Sequence, residues 1–219
     1  GAIIDCTASD GCLNVASGGS LVKAGTGTLT LTGTNTYSGG TTINAGTLAV
    51  ASDANLGATA GNLTLGGGTL RFLSGFTTDR WVTLNAGGGT FDTNGNDAAL
   101  QGPIGGSGAL IKVGAGTLTI TNENYYGGGT VINAGAVAIR NDISLGMGGA
   151  GGVVFNGGTL RFLKGVSTSR SMTFNAAGGT IDTMGNIGVL RGMLSGDGGL
   201  TKVGSGVLVL QGVSSYLGP

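Results

Sequence analysis

The chain has 219 residues, of which 50 are glycine, only 2 are proline and none is histidine, and its 10 basic and 10 acidic side chains cancel. Without histidine, the chain itself cannot form a Ser-His-Asp triad or a His-ligated metal site. Zero net charge removes the basic field that nucleic acids or anionic lipids usually require, and no apolar run is long enough to span a bilayer, so we expect neither nucleic-acid binding nor membrane insertion.

The first 17 residues contain both cysteines of the chain, Cys6 and Cys12, and form the N-terminal edge (residues 1–17). The five residues between them are polar and suit a tight loop, so we expect a local disulfide, with two free thiols as the alternative. A ring this small would contribute roughly 2 kcal/mol and would staple the edge without holding the fold together. The chain begins at Gly1 without a leader sequence, so we expect a mature or excised segment of a longer protein.

The rest of the chain is repetitive. Lys23, Lys112 and Lys202 lie 89 and 90 positions apart in similar surroundings. Shorter segments recur between them in the same order, because residues 42–46 match 131–135, residues 68–73 match 158–163, and residues 89–93 match 179–183. The pattern predicts a first long repeat at 18–106, a second at 107–196 and the start of a third at 197–219.

A finer period runs within each long repeat. Short runs of alternating apolar and polar residues, as at 28–31 and 69–72, are typical of strands with one buried face, and no helical period is present. Apolar residues follow the glycine-containing corners at spacings of 19 to 23 within each repeat: Leu48, Leu70, Phe91, Leu110, Val137, Leu160, Ile181 and Leu200. This spacing predicts an all-β fold, a right-handed single-stranded parallel β-helix with about ten coils of about 20–23 residues, as a single domain over 1–219.

Stacked coils would bring residues of successive strands into register. A one-coil step places outward-facing Arg71 beside Asp92, and the same step places Arg161 beside Asp182. Such exposed pairs contribute about 0–1 kcal/mol and fix register more than they stabilise, so we interpret them as structural. Asparagines at matching corners are expected to form a partial structural ladder, interrupted by Gly66 in the first repeat. These residues are Asn44, Asn85, Asn133, Asn156 and Asn175.

The repeated motifs resemble a known family. Residues 23–48 include Thr-Gly-Thr-Leu-Thr-Leu and Tyr-Ser-Gly-Gly-Thr-Thr-Ile-Asn-Ala-Gly-Thr-Leu. They are similar to the autotransporter-associated β-strand repeat, also called the passenger-associated transport repeat. Residues 112–135 hold a second close copy, and a third breaks off around Tyr216. The specific motif covers about a third of the chain.

The resemblance implies a passenger segment of a type V secreted protein from a Gram-negative bacterium, at the cell surface or released. It implies a non-enzymatic scaffold or stalk, without cofactors, that promotes the export of an adhesin or another virulence factor. The expected partner is the protein's own C-terminal translocator barrel, with a host-cell receptor or self-association as further possibilities. A chain that emerges unfolded can add one coil at a time, so folding outside the cell would oppose backsliding.

Two other functions remain open at this point. The first is a host-directed effector or toxin module that binds a receptor through an exposed face, for which the candidate stacking residues are Tyr37, Trp81, Tyr125 and Tyr126. A tyrosine in a loop beside Ser-Gly-Gly more often closes a corner, so that structural role is the alternative for the tyrosines. The second is a polysaccharide-active β-helix enzyme, for which the candidate groove residues are Asp53, Asp79, Arg80, Asp142 and Arg170. The oxygen-rich stretch at 92–97 suits a surface Ca²⁺, although the second copy has Met184 in place of an oxygen ligand.

Overall fold

The computed structural model describes residues 18–147 and 151–218; Cys6 and Cys12 therefore lie outside the described residues. Within these ranges the chain forms 25 short strands and two 3-10 helices, Asp53–Leu56 and Asp142–Leu145. The strands are β1 (Leu21–Lys23), β2 (Thr28–Leu31), β3 (Thr41–Ile43), β4 (Thr47–Val50), β5 (Leu63–Leu65), β6 (Thr69–Phe72), β7 (Thr77–Thr78), β8 (Val82–Leu84), β9 (Gly89–Asp92), β10 (Ala98–Leu100), β11 (Ile104–Gly106), β12 (Leu110–Val113), β13 (Thr117–Ile120), β14 (Tyr125–Tyr126), β15 (Thr130–Ile132), β16 (Ala136–Ile139), β17 (Val153–Phe155), β18 (Thr159–Phe162), β19 (Val166–Thr168), β20 (Met172–Phe174), β21 (Gly179–Asp182), β22 (Ile187–Leu190), β23 (Leu194–Ser195), β24 (Leu200–Val203) and β25 (Val207–Leu210).

The strands wind into a three-sided parallel β-solenoid, which confirms the predicted fold class. The first face consists of the sheets β1-β3-β5-β8-β11-β14 and β19-β22-β25. The second face is the sheet β2-β4-β6-β9-β12-β15-β17-β20-β23, and the third is β7-β10-β13-β16-β18-β21-β24. Because the second face holds nine strands, the described residues make about nine turns, close to the ten predicted for the whole chain.

The two 3-10 helices each replace a strand, although the sequence predicted no helix. On the first face the helix Asp142–Leu145 lies on β14, where the backbone N–H of Asn124 donates to the carbonyl oxygen of Ile143 at 3.1 Å. The side chain of Asn141 accepts a hydrogen bond from the backbone N–H of Ser144 and so caps the start of this helix. A single turn with a polar cap leaves no apolar period that sequence reading could detect.

Alternate residues of the strands point into the solenoid and form columns in register. The column on the second face runs through Leu48, Leu70, Phe91, Lys112, Ile132, Phe155 and Phe174. Every member is fully buried, and burial of a large apolar side chain stabilises by about 1.5–3 kcal/mol. The apolar positions of the alternating runs are buried, as alternation with one buried face predicts: Leu70, Phe72, Phe91, Leu110, Leu160 and Phe162.

Glycine is required where the corners of successive turns approach each other. Gly106 has a φ of 107°, and a Cβ atom built on it would lie 2.1 Å from the carbonyl oxygen of Leu84 in the turn before. No L-amino acid with a side chain fits there without moving the backbone. The high glycine content therefore follows from close stacking of the corners.

The long repeat does not contain a whole number of turns. The equivalent strands β1, β12 and β24 lie on the first, second and third face respectively. Each turn has three sides, one on each face. From β1 to β12, and again from β12 to β24, the chain advances by thirteen sides, which is four full turns and one extra side. Each long repeat is therefore rotated by one third of a turn about the solenoid axis relative to the repeat before it.

Within residues 18–147 and 151–218, no helix is long and apolar enough to cross a membrane.

Candidate functional site: contacts between successive turns

The two predicted arginine–aspartate pairs lie on adjacent strands. The Nε atom of Arg71 donates to Oδ2 of Asp92 at 2.7 Å, and Arg161 makes the same contact with Asp182 at 2.9 Å. The second carboxylate oxygen of Asp92 accepts a hydrogen bond from the backbone N–H of Asn94 at 2.9 Å, so this acid also holds the corner that follows its own strand. Because Arg71 is 40% exposed, water screens this pair, and each pair contributes about 0–1 kcal/mol.

The predicted asparagines come together in the second repeat. Asn156 donates from Nδ2 to Oδ1 of Asn133 at 2.6 Å, and Asn175 donates to Oδ1 of Asn156 at 2.6 Å. In the first repeat Gly66 lies between Asn44 and Asn85, and a Cβ atom on it would be 3.0 Å from Oδ1 of Asn44. The missing side chain leaves that ladder without its middle rung.

Lys112 points into the solenoid between Phe91 and Ile132 and has no exposed surface. Its Nζ atom donates to the carbonyl oxygens of Val113 at 2.8 Å and Gly114 at 2.7 Å, and to that of Ala134 at 3.2 Å. The first two carbonyls belong to its own turn and the third to the next turn, so the three ammonium donors connect two turns. Burial lowers the pKa of Lys112 to about 8, while the carboxylates of Asp92 and Asp97 act in the opposite direction.

The equivalent lysines show how this contact depends on the following turn. Lys23, which is 6% exposed, donates to two carbonyls of its own turn and, at 3.0 Å, to the carbonyl of Ala45 in the next. Lys202 lies in the last described turn, is exposed, and donates to the carbonyls of Val203 and Gly204. The sequence carried a signal for the inward position, because Lys112 follows Leu110 by two residues and therefore shares its side of the strand.

Arg80 forms the most extensive contact between turns, and sequence reading did not assign it this role. Its side chain is 1% exposed, and its Nε and Nη2 atoms donate to the two carboxylate oxygens of Asp53 at 2.8 and 3.0 Å. The guanidinium also donates to the carbonyl oxygens of Asp53, Gly57, Ala58 and Gly61 at 2.6–3.1 Å. One arginine in the corner between β7 and β8 thus holds the 3-10 helix at Asp53 and the loop after it, and we call this contact the arginine clamp.

The second repeat contains the same arginine clamp. Arg170, also with a 1% exposed side chain, donates to the carboxylate of Asp142 at 2.9 Å and to the carbonyl oxygens of Gly146, Met147 and Gly151 at 2.8–3.3 Å. The aspartates lie 89 residues apart and the arginines 90 apart, as in the rest of the repeat. That shared offset is the signal from which the clamp could have been predicted.

These contacts account for most of the residues that a polysaccharide-active site would have used. Asp53 and Asp142 face arginines and lie on different faces, so they do not form the pair of carboxylates that glycoside hydrolysis uses. Asp79 is exposed and takes no part in either clamp.

The stretch proposed for Ca²⁺ also has internal partners. Asp92 binds Arg71, and the carboxylate of Asp97 accepts the backbone N–H of Thr117 at 2.7 Å. No group of three or more Cys, Asp and Glu side chains that could hold a metal ion is present in the part of the chain that the structure describes.

The four aromatic candidates separate into two kinds. Tyr37 and Tyr126 are buried, with hydroxyl groups 2.7 Å from the hydroxyls of Thr41 and Thr130, and burial raises the pKa of both tyrosines. These two tyrosines therefore close corners, the alternative given above, and are not exposed stacking residues. Trp81 and Tyr125, in contrast, are 48% and 47% exposed.

Comparison with known proteins agrees with this architecture. The chain matches the family model described as the passenger-associated-transport-repeat over residues 21–50, 110–139 and 200–219, which begin at β1, β12 and β24. The adhesin BmaC autotransporter of Brucella suis biovar 1 (strain 1330) is 38% identical over 233 residues and aligns with 92% of this chain. The chain spans 7% of the length of that curated relative. No solved structure matches the chain.

The three matched stretches confirm the resemblance found in the sequence, and the relative extends the similarity across nearly all of the chain. The strands at which the three matched stretches begin, β1, β12 and β24, lie on three different faces of the solenoid. The chain therefore belongs to the passenger domains of autotransporters.

Proposed function

We propose that this segment is a non-enzymatic solenoid stalk in the passenger of an adhesin, displayed at the surface of a Gram-negative bacterium or released from it, and that stepwise stacking of its turns promotes export. The relative named an adhesin autotransporter supports the setting. The observation that supports the mechanism is that each buried cation of the repeat donates to backbone carbonyls of a neighbouring turn.

Each buried cation completes its hydrogen bonds only when the neighbouring turn is in place. Lys112 would lack the acceptor Ala134 until the next turn forms, and Arg80 would lack every acceptor of its clamp if the turns were apart. A cation whose neighbouring turn is absent stays exposed to water, as Lys202 does. Once the turns have stacked, depriving the buried cation of its acceptors costs several kcal/mol, so stacked turns resist separation. Folding by addition of turns would therefore resist return of the chain into the export channel.

The partners that follow from this function are the protein's own C-terminal translocator barrel during export and, after it, a host-cell receptor or another copy of the passenger. The repeats at 18–106, 107–196 and 197–219 are the proposed units of stacking, and residues 1–17 the proposed N-terminal edge.

The proposal is tested by comparing the full-length parent protein with a version that lacks residues 18–210. The rate at which an extracellular tag reaches the surface and the binding of the bacteria to host cells are measured separately. We expect slower display of the deleted passenger. Display at the same rate would refute the role in export.

Point variants test the role of the buried lysines in export without changing the length of the passenger. The double variant Lys23→Met, Lys112→Met removes both buried cations of the lysine series, and Lys164→Met removes an exposed lysine of the same repeat region. We expect the double variant to slow display and Lys164→Met to leave it unchanged. If both proteins reach the surface equally fast although the double variant unfolds more easily, the lysines serve stability alone.

A further inference from the structure

Trp81 and Tyr125 form one aromatic surface on the first face. Gly105 in β11 pairs with Tyr125 in β14, and a Cβ atom on Gly105 would lie 3.8 Å from both Nε1 and Cζ2 of the Trp81 indole. The indole therefore extends from its own turn over the bare backbone of Gly105, next to the strand that carries Tyr125. Two half-exposed aromatic side chains therefore lie on the same face with the bare backbone of Gly105 between them.

This surface is a departure from the repeat. The positions equivalent to Trp81 and Gly105 in the second repeat are Ser171 and Ser195, and the position equivalent to Tyr125 in the first is Thr36. The buried columns and the arginine clamps are kept between the repeats, so the fold does not require aromatic residues at these places. Because each repeat is rotated by one face, a tryptophan of the first repeat and a tyrosine of the second come to lie on the same face.

The surroundings are polar and weakly charged. Below the aromatic pair, outward threonines form a column in register, Thr42, Thr64 and Thr83, and the next position of that column is Gly105. An exposed acid precedes each aromatic residue by two positions, Asp79 before Trp81 and Glu123 before Tyr125. Arg140, one turn above residue 121, is an exposed base near this region, so it offsets one of the two negative charges.

We propose that Trp81 and Tyr125 form a binding surface for a neutral glycan, an inference that rests on the proposed adhesin function. The aromatic rings would pack against the C–H face of a sugar ring, while the threonine hydroxyls and the two carboxylates accept hydrogen bonds from its hydroxyl groups. Two half-exposed side chains fall far short of the roughly 800 Å² per partner that a stable protein–protein interface buries. A sugar unit, in contrast, needs only a small aromatic platform with polar groups around it.

The chain offers a direct probe, because Trp81 is its one tryptophan. The purified chain is titrated with cellohexaose, maltohexaose, chitohexaose and a galactan oligosaccharide while its tryptophan fluorescence is recorded. We expect a saturable change with at least one of these probes. The variant Tyr125→Thr introduces the residue of the first repeat, so it should fold normally and weaken binding at least tenfold.

Two further variants make the result specific. Gly105→Ser introduces the residue of the second repeat. Its Cβ atom would contact the indole at 3.8 Å, and its hydroxyl group would fill the space between the two aromatic residues and should weaken binding. Met184→Asn exchanges an exposed apolar residue, 53% exposed, for its first-repeat equivalent away from the site and should leave affinity unchanged.

The proposal is overturned if no oligosaccharide changes the fluorescence saturably, or if Tyr125→Thr binds as well as the unchanged chain. It is also overturned if oligolysine, tested in parallel, binds at Trp81 while the sugars do not, because the surface would then recognise a basic peptide. Surface display of the parent protein carrying Tyr125→Thr should be normal. Loss of sugar binding and loss of export are thereby measured independently, so that either proposal can fail without the other.

Discussion

Replacement of Arg80 by methionine should remove more stability than any exposed charge in the chain. Arg80→Met keeps most of the length and apolar character of the side chain but deletes every donor of the first clamp. The carboxylate of Asp53 and the carbonyl oxygens of Gly57 and Gly61 then lose the guanidinium donor at once, while the carbonyl oxygen of Ala58 keeps the backbone N–H of Gly61. Because Gly57 and Gly61 are buried, water can reach their carbonyl oxygens only if the loop at 57–61 opens.

The expected loss follows from burial. Removing one partner of a buried ion pair typically costs about 3–5 kcal/mol, but Asp53 is 23% exposed and water can reach its carboxylate. We therefore expect the lower part of that range, about 3 kcal/mol, for Arg80→Met. Arg80→Lys should lose nearly as much, because a single ammonium cannot replace a planar fork that binds several separate acceptors.

Arg71→Met is the matched control. It removes an arginine of the same repeat and the same formal charge, but its guanidinium is 40% exposed and the loss should stay below about 1 kcal/mol. Urea unfolding gives the difference in stability, and amide hydrogen exchange at 53–61 shows where it arises, because a solenoid can open one part at a time. Equal losses for Arg71→Met and Arg80→Met, or unchanged exchange at 53–61, would show that the clamp contributes no more than a surface ion pair.

Other contacts between turns make smaller predictions. Burial lowers the pKa of Lys112 to about 8, so between about pH 8 and the ordinary lysine pKa the unfolded chain binds more protons than the folded chain. The free energy of unfolding should therefore rise over that window by up to roughly 3 kcal/mol. Urea midpoints measured across the window should show this rise, and Lys112→Met should flatten it. The raised pKa of Tyr126 acts oppositely, since the unfolded tyrosine ionises first, and stability should fall at higher pH. Asn156→Ala removes two hydrogen bonds of the asparagine ladder and should lower the stability by about 1 kcal/mol. Gly66→Asn, at a residue without positive φ, should add the missing asparagine to the first repeat and raise the stability by about the same amount. A thermal unfolding midpoint that moves in the opposite direction for either variant would count against the ladder.

The strands and their register were predictable because they depend on local alternation and a long repeat. Alternation decides which side of a strand a residue occupies, and the repeat decides which residues are neighbours one turn away. The core residues Leu70 and Phe91 therefore lie where the sequence predicted. The same register brings Arg71 beside Asp92.

The clamp and the buried lysine escaped prediction for a physical reason. Charged residues are rarely buried unless they are paired, so the sequence presents Arg80 only as a candidate groove residue of an enzyme and Lys112 only as a marker of the repeat. Their partners are mainly backbone carbonyls, which every residue has and which leave no mark in a sequence. The repetition of Asp53 and Arg80 as Asp142 and Arg170 is the one trace that the clamp leaves.

The rotation of each repeat by one third of a turn has a structural consequence. Each long repeat loses one strand to a 3-10 helix, at Asp53–Leu56 in the first and at Asp142–Leu145 in the second. If the repeat held a whole number of turns, these interruptions would fall above one another on the same face, and that face would be broken every fourth or fifth turn. With one extra side per repeat, the first interruption lies on the third face and the second on the first face, and the sheet of the second face runs through nine strands without a break. Every interruption is then flanked by intact sheets on the two other faces, and the arginine clamp at each one fastens the loop to the turns around it. A passenger built from such repeats can thus accommodate one irregular loop in each of them without creating a single weak side along its length.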